Sequence, residues 1–367
     1  MTACRRAASA ALAGALFTAA LALFDVRSHG SIPLALLAAG KDGPSYDVIR
    51  QDFPDADEHT PAGRGHDGQL FYAIARQPMR LAAVVPSLDH PRYRLQRPLL
   101  PWLAWALHPF GRGPGLAWAL FAVGVVGLVT GGVGMGMLSA SLGGRPEVAA
   151  LFPLLGGAFA SLRITEADAL ATGLALAAVA LLVGGRPRAA IAAGVLAVLA
   201  KETALLILVG VLAWKRSRDA LAMVAAPAAV LFGWWLWLRH AYGGEAAPPE
   251  LLSAPLTGLV GSVRLWASGE QTMAAAWVPA ALVLAALALA RRGLRHPCAP
   301  AIVIQLALLS VLSLDVLGLN FNGTRATLPL AALAVVTLAT PARRTVEVEG
   351  APAPLVGRGR HVIGDAG

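Results

Sequence analysis

Apolar residues in this chain of 367 residues occur in long blocks rather than at the three- and four-residue spacing of an amphipathic surface helix. Blocks of this length are typical of helices that cross a membrane. The pattern predicts an all-α polytopic membrane protein with about ten transmembrane helices. The predicted spans cover residues 7–24, 116–140, 147–162, 167–184, 189–200, 203–214, 219–239, 272–290, 299–317 and 326–340.

One long polar segment, residues 25–115, separates the first span (residues 1–24) from the predicted transmembrane bundle of residues 116–340. We expect it to be an extracytoplasmic loop that carries two amphipathic helices, at 68–80 and 98–110. The second of these would reach only about 20 Å, which is short of the ~30 Å hydrocarbon core. We therefore expect it to lie on the membrane surface, with Trp102 and Trp105 as interfacial anchors.

Composition supports the membrane assignment, because 57% of the residues are hydrophobic and 14% are charged, against about 25% charged in soluble domains. The net charge of +9 comes from short basic clusters between apolar blocks, so we exclude nucleic-acid binding. If 98–110 does not cross, the short basic loops all face one side, and the positive-inside rule places that side and both termini in the cytoplasm. These loops, which we call the basic turns, contain Arg145, Arg186 with Arg188, Lys215 with Arg216 and Arg218, Arg291 with Arg292 and Arg295, and Arg343 with Arg344. Residues 341–367 are predicted to be a disordered cytoplasmic tail.

The run 189–214 is interrupted only by Lys201-Glu202-Thr203. It is either one span with a charge pair near its middle or two short spans with that pair at the turn. A central charge costs roughly 2.5–3.5 kcal/mol on insertion scales. The basic residues of the flanking loops favour two spans.

The side opposite the basic turns collects polar residues from several helix ends. Carboxylates there can act as a general base or hold a divalent cation, and basic side chains can bind a phosphate. We therefore expect a reaction on a lipid-linked phosphate. Structural roles remain open for the helix-initiating acids Glu166 and Asp168 and for the adjacent pair Lys201 and Glu202.

Asp67 lies between Gly65 and Gly68, and glycines permit a sharp turn and close approach of a ligand. The same pattern is also typical of an ordinary Asp-Gly turn. His66, His90 and His108 do not have the spacing of a zinc site, and none of them is assigned to one. The run of small residues at 127–137 is expected to serve helix packing rather than nucleotide binding, because it lies in mid-span.

Three segments resemble membrane glycosyltransferases of the GT-C class, in particular bacterial proteins of cell-surface glycopolymer formation and, more distantly, the GPI mannosyltransferase II type. They are HDGQLFYAIA followed by YRLQRPLLPWLAW, then ITEADAL at 164–170, then LAKETALL at 199–206. The resemblance covers roughly residues 60–210. This sequence departs from the family pattern at His66, where relatives tend to have Trp, and at Lys201, where they have Arg.

The resemblance implies transfer of a sugar from a polyprenyl-phosphate donor to a glycan or lipid acceptor, at the outer face of the bacterial cytoplasmic (inner) membrane. Asp67 would be the general base that accepts the proton of the attacking hydroxyl. Lys201, Arg97 and Arg325 are the candidates to stabilise the leaving phosphate. The full set of candidate substrate-binding residues is His66, Gln69, Tyr72, Tyr93, Arg97, Glu166, Asp168, Lys201, Glu202 and Arg325.

The sugar, the acceptor and the metal requirement stay open at this point. No metal site is assigned; if Mg²⁺ or Mn²⁺ takes part, the candidate ligands are Asp67, Glu166 and Asp168. Two other functions remain as alternatives: a transporter or flippase of lipid-linked glycans, and a non-catalytic membrane protein of envelope assembly. A transporter would be expected to have inverted repeats, which the two halves of the sequence do not display.

Overall fold

A computed structural model describes residues 2–27, 32–243 and 248–341. These residues are helical and contain no β-strand, only two isolated bridges that pair Ala39 with Gly65 and Leu252 with Leu312. The helices, numbered in chain order, are α1 (Ala3–Arg27), α2 (Ile32–Leu36), α3 (Tyr46–Asp52), α4 (Ala56–His59), α5 (Gly68–Arg76), α6 (Leu81–Val84), α7 (Pro91–Leu95), α8 (Leu99–Leu107), α9 (Gly113–Ser141), α10 (Leu151–Leu154), α11 (Gly156–Arg163), α12 (Asp168–Val183), α13 (Pro187–Ala200), α14 (Leu205–Lys215), α15 (Arg218–Tyr242), α16 (Thr257–Ala267), α17 (Thr272–Arg292), α18 (Ala299–Val311), α19 (Leu314–Leu317), α20 (Asn320–Ala326) and α21 (Leu328–Ala339). Short 3₁₀ turns lie at Val85–Ser87, Pro146–Ala150, Glu202–Ala204 and Pro249–Leu251.

Four helices of the described residues, α1, α9, α15 and α17, are long and apolar enough to cross a membrane. They have 21 to 29 residues, which corresponds to roughly 31–43 Å against a hydrocarbon core of ~30 Å. The helices α12, α13, α18 and α21 are apolar but shorter. The long apolar helices indicate a membrane-embedded protein, and four of the predicted spans coincide with helices of sufficient length.

Glycines allow α9 and α12 to pack closely. A Cβ atom on Gly173 would lie 2.6 Å from the backbone nitrogen of Gly131, and one on Gly127 would lie 3.0 Å from the Leu170 Cα atom. Only a helix without side chains at these positions can approach so near. The small-residue run at 127–137 therefore serves helix packing, as the sequence predicts.

The predicted span 147–162 is not one helix, which corrects the sequence interpretation. Leu155 is extended (ψ 135°) and separates α10 from α11. Pro153 has no N–H to continue the helix, and the hydroxyl of Thr18 donates a 2.8 Å hydrogen bond to its carbonyl oxygen. The predicted span 299–317 is also broken, because α18 ends at Val311 and Leu312 pairs with Leu252 before α19 begins.

The two predicted helices of the polar segment are shorter in the structure, and α5 is more deeply buried than a surface location implies. α5 ends at Arg76 rather than residue 80, because Gln77 precedes Pro78 and leaves the α region (φ −143°). Its residues from Gly68 to Ala75 are all buried, so the helix is a core element. α8 begins at Leu99 and ends at Leu107, against a prediction of 98–110, and its Trp102 packs edge-on against Trp234 of α15.

The segment 189–214 forms two helices, as the loop charges predict. Lys201 is extended (φ −159°, ψ 129°) between α13 and α14. At this turn Lys201 Nζ contacts Asp168 at the start of α12, whereas Lys215, at the end of α14, donates to the carbonyl of Leu182 near the end of α12. α14 therefore runs back along the bundle.

Within the described residues, the basic turns lie together at one end of the bundle. Arg292 donates to the carbonyl of Leu338 at 3.2 Å, and the imidazole of His296 lies 2.8 Å from the Thr340 hydroxyl. Arg6 pairs with Glu147 at 3.1 Å near the same end. The candidate site residues lie at the opposite end, where α12 begins and α13 ends. The predicted tail, apart from Pro341, lies outside the described residues.

Candidate functional site

Asp67 lies at the start of α5, at the end of a loop that the backbone holds tightly. Gly65 has a positive φ of 68°, and the N–H of His66 donates a 2.8 Å hydrogen bond to the Ala38 carbonyl. A Cβ atom on Gly68 would lie 2.5 Å from the carbonyl oxygen of Ile164. This glycine lets the loop pack against the turn before α12, which carries Glu166.

Two arginines bind the Asp67 carboxylate. Its Oδ2 atom is 2.9 Å from Arg94 Nη1 and 3.7 Å from Arg325 Nη2. Burial raises the pKa of Asp67, but the guanidinium groups of Arg94 and Arg325 outweigh it and hold the pKa below its usual range. Asp67 is therefore an anion throughout the physiological pH range.

Glu166 is almost completely buried in the turn between α11 and α12. The preceding residue, Thr165, has a positive φ of 50°, an uncommon conformation for a β-branched residue. The Glu166 carboxyl contacts Nη1 of Arg325. Burial, together with the negative charges of Asp67 and Asp168, raises its pKa to about 8 despite Arg325. Glu166 therefore holds a proton at neutral pH.

Arg325 connects the three carboxyl groups that sequence analysis singled out. Besides Asp67 and Glu166, it reaches Asp168 Oδ2 at 3.5 Å, and its Nη2 donates a 2.7 Å bond to the Asn322 amide oxygen. Within the described ranges no three His, Cys, Asp or Glu side chains are arranged to hold a metal ion. The guanidinium of Arg325 lies where a cation shared by Asp67, Glu166 and Asp168 would bind, so these residues do not fit a metal.

Two further ion pairs join the turn between α13 and α14 to the rest of the site. Lys201 Nζ lies 2.5 Å from Asp168 Oδ1. Arg97 donates to both carboxylate oxygens of Glu202, at 2.9 and 2.7 Å, and to the hydroxyl of Tyr93 at 2.7 Å. The Arg97 guanidinium also lies over the Tyr93 ring, 4.4 Å from its centroid. Such planar bidentate pairing is a property of arginine rather than lysine.

These ion pairs form one end of a cavity of about 490 Å³, which we call the main cavity. Its charged end contains Tyr93, Arg97, Asp168, Lys201, Glu202 and Arg325. Its remaining wall is largely apolar and includes Leu251, Leu308 and Leu312. A cavity of this composition suits a ligand with a charged head and a hydrocarbon chain.

A second cavity, of about 480 Å³ and polar in character, lies on the other side of Asp67. We call it the polar cavity. It is lined by Asp42, Arg64, His66, Asp67, Gln69, Asp89, His90 and Arg94, together with Pro44, Gly65 and Leu70. Arg325 lines the main cavity and contacts Asp67, which lines the polar one. The two residues therefore separate the two spaces.

His66, Gln69 and Tyr72 differ in their relation to these cavities. The His66 ring packs edge-on against Phe321, and burial and then Arg325 lower its pKa. Gln69 lines the polar cavity, and its amide donates a 2.6 Å hydrogen bond to the Arg64 carbonyl.

Tyr72 is fully buried and lines neither cavity. Its hydroxyl donates to Asp52 at 2.8 Å and accepts from the N–H of Gly113. Tyr72 lies on the face of α5 that packs into the core, so it does not make the predicted ligand contact in either cavity. Its role is structural, because its hydroxyl links α3, α5 and α9.

Arg94 was missed in the sequence analysis. Its guanidinium binds both carboxylate oxygens of Asp89, at 2.8 Å each, and also contacts Asp67. Arg94 therefore orients the carboxylate of Asp67, the residue that we single out for chemistry. The sequence offered only a weak signal, the cluster of Arg92, Arg94 and Arg97 in and after α7, because cations in a polar segment resemble solvated ones.

Comparison with protein-family models, curated protein sequences and solved structures finds no match to this chain. The geometry of the site itself therefore carries the functional argument.

Proposed function

We propose that this protein is an integral-membrane glycosyltransferase that moves a sugar from a polyprenyl-phosphate donor to a glycan or lipid acceptor. The observation that carries the proposal is the position of Asp67 and Arg325 between the two cavities. One space is largely apolar with cations at its end, and the other is polar. A lipid-linked donor matches the first, and a polyhydroxylated acceptor matches the second.

In this proposal the donor phosphate binds at the charged end of the main cavity. Arg97, Lys201 and Arg325 would stabilise the negative charge that grows on the phosphate as the sugar leaves. Each of these cations already has a carboxylate partner, so the phosphate would share them. The protonated Glu166 limits the negative charge that the phosphate meets.

Asp67 would accept the proton of the acceptor hydroxyl as that oxygen attacks the anomeric carbon. The bond from the anomeric carbon to the phosphate oxygen breaks, and the electron pair stays on the phosphate. Because Arg94 and Arg325 lower its basicity, Asp67 would orient the hydroxyl through a hydrogen bond and take the proton late in the reaction. Arg325 occupies the position of a shared metal ion, so the proposed reaction uses no metal in this place.

The arrangement in the membrane belongs to the same proposal. It comprises about ten spans, a GT-C-like fold with a long first extracytoplasmic loop, cytoplasmic termini and residence in a bacterial inner membrane. The support is the separation of the basic turns from the charged site at opposite ends of the bundle, which satisfies the positive-inside rule.

A transporter of lipid-linked glycans is the second candidate. The breaks at Leu155 and Lys201 favour it, because transporters bind substrates at discontinuous helices. Transporter sites, however, lie near the bilayer midplane, whereas this cluster lies at one end of the bundle. A non-catalytic role in envelope assembly would leave Asp67 dispensable.

Mass spectrometry of surface glycans and lipid-linked sugars in a strain lacking the gene tests the proposal. We expect one sugar to disappear from a surface glycan and its lipid-linked form to accumulate at the outer face. Expression of Asp67→Asn should not restore the glycan, whereas Asp47→Asn, at an exposed position of α3, should. Accumulation of the donor at the inner face would favour the transporter. Restoration by Asp67→Asn would contradict the proposal.

A further inference from the structure

Gln305 is a buried polar residue in the wall of the main cavity. It belongs to α18 and is only 1% exposed, and its Nε2 atom has no hydrogen-bond partner in the described part of the chain. A buried amide N–H without a partner destabilises a protein, and most such groups are satisfied. An unpaired donor in a cavity wall therefore points to an acceptor that the ligand supplies.

The position of Gln305 along the bundle identifies which part of a ligand it would meet. A Cβ atom on Gly210 of α14 would lie 2.5 Å from the Cβ atom of Ala301. Ala204 and Leu308 line the same cavity, so α14 and α18 run antiparallel. Gln305 lies four residues beyond Ala301 on α18, toward the charged end of the cavity. Because the two helices are antiparallel, the residue of α14 at the same height is Leu206, four residues before Gly210. Gln305 thus lies about one helical turn from the turn that contains Lys201 and Glu202.

Thr172 supports this placement from another helix. It lines the main cavity and follows Asp168 by four residues on α12, so it lies on the same helix face and about 6 Å further along. Thr172 and Gln305 therefore both lie about one helical turn beyond the ion pairs, and they supply polar groups to the cavity wall there. The wall around them is apolar, and a hydrocarbon chain offers no hydrogen-bond acceptor there.

We propose that Gln305 donates a hydrogen bond to a phosphoryl oxygen of a prenyl-phosphate ligand and so fixes the depth of its head group in the main cavity. This inference rests on the proposed function, because it takes the occupant to be a lipid-linked phosphate. The cations at the cavity end attract the phosphate, and Gln305 then recognises the oxygen on the side of the hydrocarbon chain. It is a binding residue and has no part in proton transfer.

The test measures binding of a short prenyl monophosphate and of the corresponding diphosphate to the purified full-length protein in nanodiscs. Gln305→Met keeps the length of the side chain and removes the donor. We expect it to weaken binding of at least one probe about ten-fold or more, in line with a hydrogen bond to a charged group. The probe that is affected shows whether the oxygen belongs to a mono- or a diphosphate. Melting temperature without ligand should rise, because an unpaired amide is removed.

Gln305→Glu is the second variant, since it preserves shape and adds a charge that repels phosphate. It should bind more weakly than Gln305→Met, and it decides the question if Gln305→Met is not recovered folded. Wild-type affinity for both probes in the variants that fold would overturn the role of Gln305, while probe binding by the wild type would leave the proposed function standing. Failure of the wild type to bind either probe would count against the proposed function as well.

Discussion

The Oδ2 atom of Asp67 lies 3.7 Å from the Nη2 atom of Arg325, at the boundary between the main cavity and the polar cavity. Asp67 immediately precedes α5, a short helix of the polar segment, and Arg325 belongs to α20, a short helix just before the last apolar helix. Their contact joins the two parts of the chain in which sequence analysis placed a base and a phosphate-binding cation.

Replacement of Arg325 should affect both stability and activity. Arg325→Met would leave buried carboxylates without their shared partner, and breaking a buried pair in this way costs about 3–5 kcal/mol. Arg325→Lys keeps the charge but loses the planar fork, so we expect a folded protein with little activity. Melting temperatures and glycan restoration in the deletion strain measure the two effects.

Asp67→Asn combined with Arg325→Met provides the control, since it removes one of the carboxylates whose charge Arg325 balances. The double variant should be more stable than Arg325→Met alone. Strictly additive losses would show that Asp67 and Arg325 are not coupled.

Gly68 is expected to tolerate no side chain. In Gly68→Ala the new methyl would press on the carbonyls of Ile164 and Leu37, displacing either Asp67 or the turn that carries Glu166. The matched control is Gly233→Ala in α15, where nothing lies within 4 Å of an added Cβ atom and where alanine should stabilise the helix by about 0.5–1 kcal/mol. Thermal unfolding in detergent should show a lower melting temperature for Gly68→Ala than for the wild type. The melting temperature of Gly233→Ala should equal or exceed that of the wild type. Equal melting temperatures would contradict this packing.

The protonation of Glu166 should make stability depend on pH. Its pKa in the folded protein is about 8, above the ordinary value of 4.5, so the folded state binds the proton more tightly than the unfolded state. The resulting stabilisation is fully present below pH 4.5 and is lost as the pH rises through about 8. The melting temperature of the wild type should therefore fall between pH 5 and 9 relative to that of Glu166→Gln, which has no proton to lose at this position. Parallel pH profiles for the two proteins would contradict a buried, protonated Glu166.

Topology can be tested with single cysteines in a background lacking Cys4 and Cys298. Met79→Cys and Asp47→Cys lie in exposed positions of the polar segment, and a membrane-impermeant reagent should label them in intact cells. Arg145→Cys and Arg186→Cys lie in the exposed basic turns and should react only after the membrane is opened. Labelling of Arg145→Cys from outside the cell would show that the orientation in the membrane is the opposite of the one proposed.

The sequence was most informative where a pair of charged residues interrupts an apolar block. Lys201 and Glu202 predicted a turn, and the structure has one there. Helix breaks caused by packing were harder to foresee, because Pro153 and Leu155 lie in an uninterrupted apolar run and the break is stabilised by Thr18, from a distant helix. Hydropathy indicates which residues are buried, but it does not indicate which side chain will donate a hydrogen bond to a backbone carbonyl left unpaired at a helix break.

The same limit applies to the site. Residue type and topology placed Asp67, Asp168 and Arg325 at one end of the bundle, but their pairing depends on helix positions that no local pattern encodes. Tyr72 illustrates the converse, since its place in a motif suggested a ligand contact and its neighbours Asp52 and Gly113 bind its hydroxyl in the core. Arg94 was missed because a cation in a polar segment looks like a solvated one until its partners are known.

The most direct test of the account is sugar transfer by the purified protein in liposomes. The donor would be the lipid extract of the deletion strain, which should contain the accumulated lipid-linked sugar, and the acceptor would be the truncated glycan from the same strain. Mass spectrometry should show the sugar moving to the glycan with the wild type and with Asp47→Asn, and at least about a hundred-fold more slowly with folded Asp67→Asn. Transfer by Asp67→Asn at the wild-type rate, or a lipid-linked sugar left intact by the wild type, would contradict the central claim.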